Sequence, residues 1–448
     1  MAGVSGKGRI ISTRADTLAV VMAALLALAA PGLAEAATES ELQSAVFRAK
    51  PAVVMVAVRI GATATVRCGN GTSAVVNPGA IGEIGSGSII HPDGWIVTNG
   101  HVIQPYQDGA DGAFAAELLE KAVAAACAPE LDGLAGPARA QRIQVLAAAS
   151  ENRQGLALDR SLEVHLSNGK AYPAGVKFYS PPAYVVTGTT TDSSGVQKKV
   201  HGRDVAILKI DDKELPVVRL ARHSTDLHLG QALFVIGFPG VVVSHELLSR
   251  ATQYEPSITI GRVSGFKQDI GGQRVIQTDA AIIQGNSGGP VFDDRGQVIG
   301  AATFTSLQGE QVVQGFNFLI PIETIQDAAR QAGVVPKGDS MFTRLWNHGV
   351  DLYIRDLHYR AYRNMSAADR IHPGFPDVER VREDCDIKHK EQGYLHREEY
   401  QWALIGVLLV GGIAGVWFSG RRLMSATRRG IRGIVREELD AREGRSPP

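Results

Sequence analysis

Between about Ala45 and Ile320 the chain is built from short apolar, β-branched runs cut by glycine, asparagine, aspartate and proline. AVVMVAVRI, GSIIHPDGWIVTNGHVI, LEVHLSNGKAYPAGV, DVAILKI, ALFVIGFPG and SITIGRVSG are the clearest of them. Runs of this length and texture predict strands, and PDG, SNG and DRG are hairpin turns between them. Many short strands in succession predict an antiparallel sandwich or barrel, and hence a mainly β chain. Two stretches break the pattern. Asp111 to Ser150 is alanine-rich with helical spacing, which predicts a helical hairpin inserted between strands. Tyr179 to Gly202 is rich in threonine, serine and glycine and reads as a loop. After Pro321, IETIQDAARQAG predicts a short helix ending at Gly333.

Both ends of the chain are more apolar than the middle. Lys7, Arg9 and Arg14 precede an apolar run from Leu18 to Ala30, and Ala34-Glu35-Ala36 follows. That layout predicts a secretory signal peptide over residues 1–36. Gln401 to Gly420 contains no charge, has Trp402 and Trp417 near its ends, and is followed at once by Arg421, Arg422, Arg428, Arg429 and Arg432. The expectation is a single transmembrane helix over 401–420 with a basic cytoplasmic tail over 421–448. The rest then lies outside the cytoplasm, at the periplasmic face of a bacterial inner membrane. Residues 336–400 are heavily charged and read as a membrane-proximal stalk. His348, His358, His372, His389 and His396 there have no metal-like spacing and read as solvated.

Composition removes some possibilities. Formal net charge is zero and charged residues make up 21% of the chain, so no global basic field points to nucleic acid. The three cysteines include no CxxC or Cys/His pair with metal spacing, so no metal and no cofactor is expected. Cys68 and Cys127 would have an oxidising compartment available for a disulfide, but sequence does not give their separation.

The candidate chemistry lies in three separate stretches. QTDAAIIQGNSGGPVFDDRGQVIG, residues 277–300, sets Ser287 in a glycine-rich bend between strands. WIVTNGHVI places His101 after an apolar strand, and HGRDVAILKI places Asp204 at the start of another. Singly these are a turn serine, a structural histidine and a turn aspartate. Together, in the order His, Asp, Ser, they are one known solution to activating a hydroxyl. A neutral imidazole takes the serine proton, and a buried carboxylate fixes its tautomer and stabilises the imidazolium. Gly285 would let its own N–H and that of Ser287 form an oxyanion hole. Gly288 and Gly289 would leave room for a substrate chain.

TNGHV, DVAILKI and QTDAAIIQGNSGGPV, with GSGSIIHPDGWIVTN upstream, resemble the HtrA/Deg branch of the trypsin-like serine proteases over roughly Val53 to Ile320. The resemblance implies a chymotrypsin-like pair of six-stranded β-barrels with the site in the cleft between them. Residues 40–335 would then be the protease domain, carrying 111–150 as its helical insertion. It also implies His101 as base, Asp204 as orienting carboxylate, Ser287 as nucleophile, and Gly285 with Ser287 as oxyanion donors. GAATFTS, 300–306, matches the strand that lines the specificity pocket. Thr303, Phe304 and Thr305, with Asn317, are therefore the expected substrate-binding residues. The implied partners are polypeptides, unfolded or membrane-associated, and the family's homotrimer is left open.

The chain departs from the pattern in three places. Residues 338–401 are too short and too charged for the PDZ domain such proteins usually carry. Asn317 stands where glycine is usual, which would narrow or polarise the pocket. The insertion after His101 is expected to act as a lid or partner surface. The reading is thus a membrane-tethered extracytoplasmic serine endopeptidase acting on misfolded or partner proteins. The alternative is a chaperone or adaptor that binds unfolded chains with little turnover. An esterase is disfavoured, because α/β-hydrolases set their serine in GxSxG between a strand and a helix.

Overall fold

The computed structural model describes residues 41–107, 113–182, 184–185, 199–200, 202–245, 247–249, 253–269, 271–308, 311–391 and 397–442. The expected signal peptide, residues 1–36, lies outside the described residues, as does most of the 179–202 stretch. Two antiparallel sheets carry the centre of the molecule. The first has eight strands and is organised around Val53–Arg67, which pairs with Ser73–Val76, Ala80–His91 and Leu156–Leu166. Val54, Val56, Val58, Ile60 and Ala62 alternate along that strand into the core, as a half-buried strand requires. Ala80–His91 continues through the PDG turn, with Gly94 at a φ of 87°, into Trp95–Thr98. Val205–Lys209 then pairs with Trp95–Thr98.

The second sheet closes on itself. Gln297–Gln308 pairs with Pro290–Asp293 on one side and Gln311–Pro321 on the other, after Ala232–Gly237, Ser257–Gln268 and Arg274–Thr278. This is the barrel expected for the C-terminal half of the protease domain. Arg219–Leu220 adds a short parallel edge to Gln297–Gln308.

The mainly β expectation is corrected, since helices make up 41% of the chain. Three of those helices, Met341–Ile354, His358–Ile371 and Pro376–Glu391, come from the segment read as a stalk. Phe342, Trp346 and Val350 recur every fourth residue, and all are buried in one cluster with Val54, Ile89 and Leu208 of the first sheet. Arg344, Arg360, Arg363, Arg370, Glu379 and Glu383 of this segment are exposed, while Asp377 is buried. His358 and His372, read as solvated, are buried, and His372 Nε2 lies 2.8 Å from the Lys213 carbonyl.

The expected transmembrane helix is also corrected. The apolar stretch 401–420 is one part of a 46-residue helix, Arg397–Arg442, which runs on through the arginines that were to terminate it. Among the described residues, no helix is long and apolar enough to cross a membrane.

The insertion consists of Ala113–Ala126, Ala128–Leu131, Gly136–Ala148 and Ser150–Gln154. Leu119, Val123, Leu131 and Leu146 bury against Ala64 and Val66 at the far end of Val53–Arg67. A Cys68–Cys127 disulfide, with a Cα–Cα separation of 5.6 Å, fastens the two together.

Candidate active site

The polypeptide turns sharply after Trp95–Thr98, and the helix Gly100–Gln107 begins at once. Gly100 is required there because a Cβ would lie 2.1 Å from the Ser180 carbonyl oxygen. His101 thereby occupies the first helical turn, facing Asp204. Its Nδ1 lies 2.9 Å from both carboxylate oxygens of Asp204, and its backbone N–H donates to Oδ1 at 2.8 Å. The remaining acceptor capacity of Oδ2 takes the Thr303 hydroxyl.

Asp204 holds this position in a left-handed backbone conformation, φ 52°, that a non-glycine residue adopts only when its surroundings fix it. Its N–H donates to the Pro181 carbonyl and its own carbonyl accepts from Asn99 Nδ2, both at 2.9 Å. Burial alone would push the His101 imidazole below its usual range. The hydrogen bond and charge of Asp204, with the charge of Glu83, outweigh that and hold it above. Glu83, on Ala80–His91, is itself pushed up by burial, against the pull of His101.

Ser287 lies in the bend between Arg274–Thr278 and Pro290–Asp293. Its hydroxyl donates to the Thr303 carbonyl at 3.0 Å, so its proton is directed there and not at His101. Gly285 and Gly288 have φ of 97° and 82°, which side chains rarely adopt. Among the described residues, the N–H groups of Gly285 and Ser287 meet no protein acceptor. Gly288 and Gly289 do not leave room for a substrate chain, as was expected. A Cβ on Gly288 would lie 2.2 Å from the Ser86 carbonyl oxygen, and one on Gly289 2.6 Å from that of Ile236. Both are needed for the two sheets to meet.

His101, Asp204, Ser287 and Thr303 line one cavity of about 900 Å³. Val275, Ile282, Phe318 and Ile320 make part of its wall apolar, while Arg203, Lys267 and Arg274 place cations at it. Asn317 is not among its lining residues. It is fully buried, and its Nδ2 donates to the Ala280 carbonyl at 2.6 Å. The side chains of Phe304 and Thr305 lie outside the described residues. Among the described residues, none of the insertion lines the cavity. Glu83 and Ser86 were missed from sequence; the only signal was a polar residue on a strand that otherwise turns apolar.

The His101–Asp204 pair and Ser287 thus line one cavity at the meeting of two antiparallel sheets. Residues 85–300 match the trypsin-like peptidase domain. Over 132 residues the chain is 42% identical to Protease Do-like 5, chloroplastic, of Arabidopsis thaliana, covering 27% of this chain and 36% of that protein. Over 165 residues it is 34% identical to a probable periplasmic serine endoprotease DegP-like of Ectopseudomonas mendocina, covering 35% of this chain and 31% of that one. The match spans about a third of the length of these relatives. Among solved structures, the HtrA-type protease AlgW with tripeptide aligns at 22% identity over 66% of this chain and 65% of that one, with a TM-score of 0.37. Over the part they cover, these matches make the chain similar to the DegP-like and Do-like serine proteases.

Proposed function

We propose that this protein is an extracytoplasmic serine endopeptidase acting on polypeptides, with Ser287 as nucleophile, His101 as general base and Asp204 as orienting carboxylate. The observation that carries the reading is the two-point hold of Asp204 on His101. It fixes the Nδ1–H tautomer and leaves Nε2 free to accept a proton. The Ser287 hydroxyl rotates from the Thr303 carbonyl toward His101 and attacks the scissile carbonyl carbon as His101 takes its proton. The oxyanion is met by the N–H groups of Gly285 and Ser287. His101 then gives the proton to the departing amine, and water hydrolyses the acyl-enzyme by the same path. The apolar wall of the cavity favours an apolar substrate side chain.

The Cys68–Cys127 disulfide fits an oxidising compartment, in line with the periplasmic setting in the name of the DegP-like relative. The test is a time course with unfolded casein, using the full chain and its Ser287→Ala form. Fragments from the first and none from the second are expected. Equal cleavage by both would remove Ser287 from the chemistry. Casein held by both without cleavage would favour the chaperone reading.

A further inference from the structure

We infer that Ser86 is a positioning residue for the reaction, one that locks the peptide groups around Ser287 from the opposite sheet. This rests on the proteolytic reading above and extends it to a residue that touches neither substrate nor reacting atoms.

Ser86 lies on Ala80–His91, in the first sheet, and is completely buried. Its hydroxyl donates to the Gly285 carbonyl at 2.6 Å and accepts from the Phe238 N–H at 2.8 Å. Its N–H donates to the Ser287 carbonyl at 2.8 Å, and its carbonyl accepts from the Thr98 hydroxyl at 2.7 Å. One residue of the first sheet thus holds two alternate peptide groups of the bend that carries the nucleophile.

The peptide groups between and beside them are fixed by other means. The Gln284 carbonyl accepts from the Gly240 N–H at 2.9 Å, and the Asn286 carbonyl from the Gly289 N–H at 2.9 Å. Because a peptide group is planar and trans, tying its carbonyl sets the direction of the N–H on its other side. The Gln284 bond therefore directs the N–H of Gly285, and the Asn286 bond directs that of Ser287. These are the two N–H groups without a protein acceptor. The intervening Gly285–Asn286 peptide joins the two donors. Apart from the Asn286 N–H bond to the Ile283 carbonyl, its restraint is the Ser86 hydroxyl. At Gly285, with no Cβ and φ 97°, the backbone has little intrinsic resistance to rotation. Removing the hydroxyl leaves this peptide held by the Asn286 N–H bond alone, with the Gly285 carbonyl and the Phe238 N–H unpaired in the interior.

Ser88 supplies a matched control. It is on the same strand, equally buried, and its hydroxyl has no partner among the described residues. Ser86→Ala and Ser88→Ala remove the same atom from the same sheet. On fluorescein-labelled casein, Ser86→Ala is expected to lower kcat by about 10²-fold, the scale of a small displacement of a catalytic group. KM should stay within about twofold, and Ser88→Ala should match the wild type. Hydrogen exchange of a peptide spanning Ile283–Pro290 gives a readout that needs no turnover: faster exchange in Ser86→Ala than in Ser88→Ala is expected. Unchanged kcat and unchanged exchange in Ser86→Ala would overturn the inference. Equal losses in both variants, tracking a common fall in thermal midpoint, would also overturn it by showing only a packing role. If the wild type proved to have no Ser287-dependent turnover, the proteolytic reading would fail. The exchange comparison would still decide whether Ser86 holds the bend.

Discussion

His101 has two carboxylates in its field, and they do different things. Asp204 touches it and fixes its ring, whereas Glu83 acts on it only through charge. A general base works in its neutral form, so a raised imidazole pKa moves the acidic limb of kcat/KM to a pH above the ordinary histidine value of about 6.5. Glu83→Gln removes one of the raising charges and is expected to move that limb to lower pH, with little change in the plateau. A pH profile of casein cleavage checks this; an unmoved limb would mean that Glu83 does not reach His101. The meeting of His101, Asp204 and Ser287 at one cavity was legible because each sits in a stretch whose glycines and strand edges leave little choice of place. Asn317 was misplaced because neighbouring strand residues point to opposite faces, and sequence does not say which face meets the cavity. Phe318 lines the cavity, and Asn317 is turned to Ala280. Ser86 was invisible because a serine between glycines on a strand reads as filler.

At the scale of elements, the helices that follow the barrels are tied to the site's own sheet by charge. Lys50, buried in the turn before Val53–Arg67, lies 3.0 Å from both Glu255 and Asp377, and Arg380 reaches Glu255 at 2.8 Å. Glu255 lies two residues before Ser257, which pairs with Gly237 at the base of the segment leading to Phe238. Asp377→Ala strips a buried ammonium of one of two partners. It is expected to destabilise by about 2 kcal/mol, below the roughly 3–5 kcal/mol for losing a sole partner, as read by chemical denaturation. Burial pushes the Glu255 carboxyl up, but the hydrogen bonds of Arg380 and Lys50 prevail and hold it below its usual range. Its contribution is therefore present above about pH 4.3, its unfolded pKa, and is lost as pH falls through the folded value.

The disulfide closes a separation of 59 residues and ends inside the insertion, at Cys127. On chain-entropy grounds its reduction is expected to cost about 4 kcal/mol. Because no described residue of the insertion lines the cavity, reduced protein that remains folded should cleave casein at the oxidised rate. None of these long-range ties could be read from spacing, since each joins residues brought together only by the fold.

The whole molecule is more helical than its strand-rich middle suggested. Phe342, Trp346, Met365 and Val378 share one buried cluster with the first sheet, so the helices Met341–Ile354, His358–Ile371 and Pro376–Glu391 and the sheet form one core. The four-residue spacing of Phe342, Trp346 and Val350 was present in the sequence, but the surrounding charge disguised it as a stalk. Truncation after Lys337 would bare that cluster and is expected to give protein that aggregates or melts at a markedly lower temperature than the full chain. A soluble, cooperatively melting fragment would show the core to be divisible. Thiol accessibility reports the same packing. Cys385 is buried in the cluster, and its thiol is pushed up to about 12, chiefly by burial. Native protein should therefore show no titratable thiol, and denatured, unreduced protein should show one.

The central claim, that Ser287 is a nucleophile served by His101, is met most directly by a fluorophosphonate probe mapped by mass spectrometry on the full chain. Stoichiometric phosphonylation of Ser287, slowed by orders of magnitude in His101→Ala, is the expected result. Labelling at another residue, or no loss of rate without His101, would contradict it.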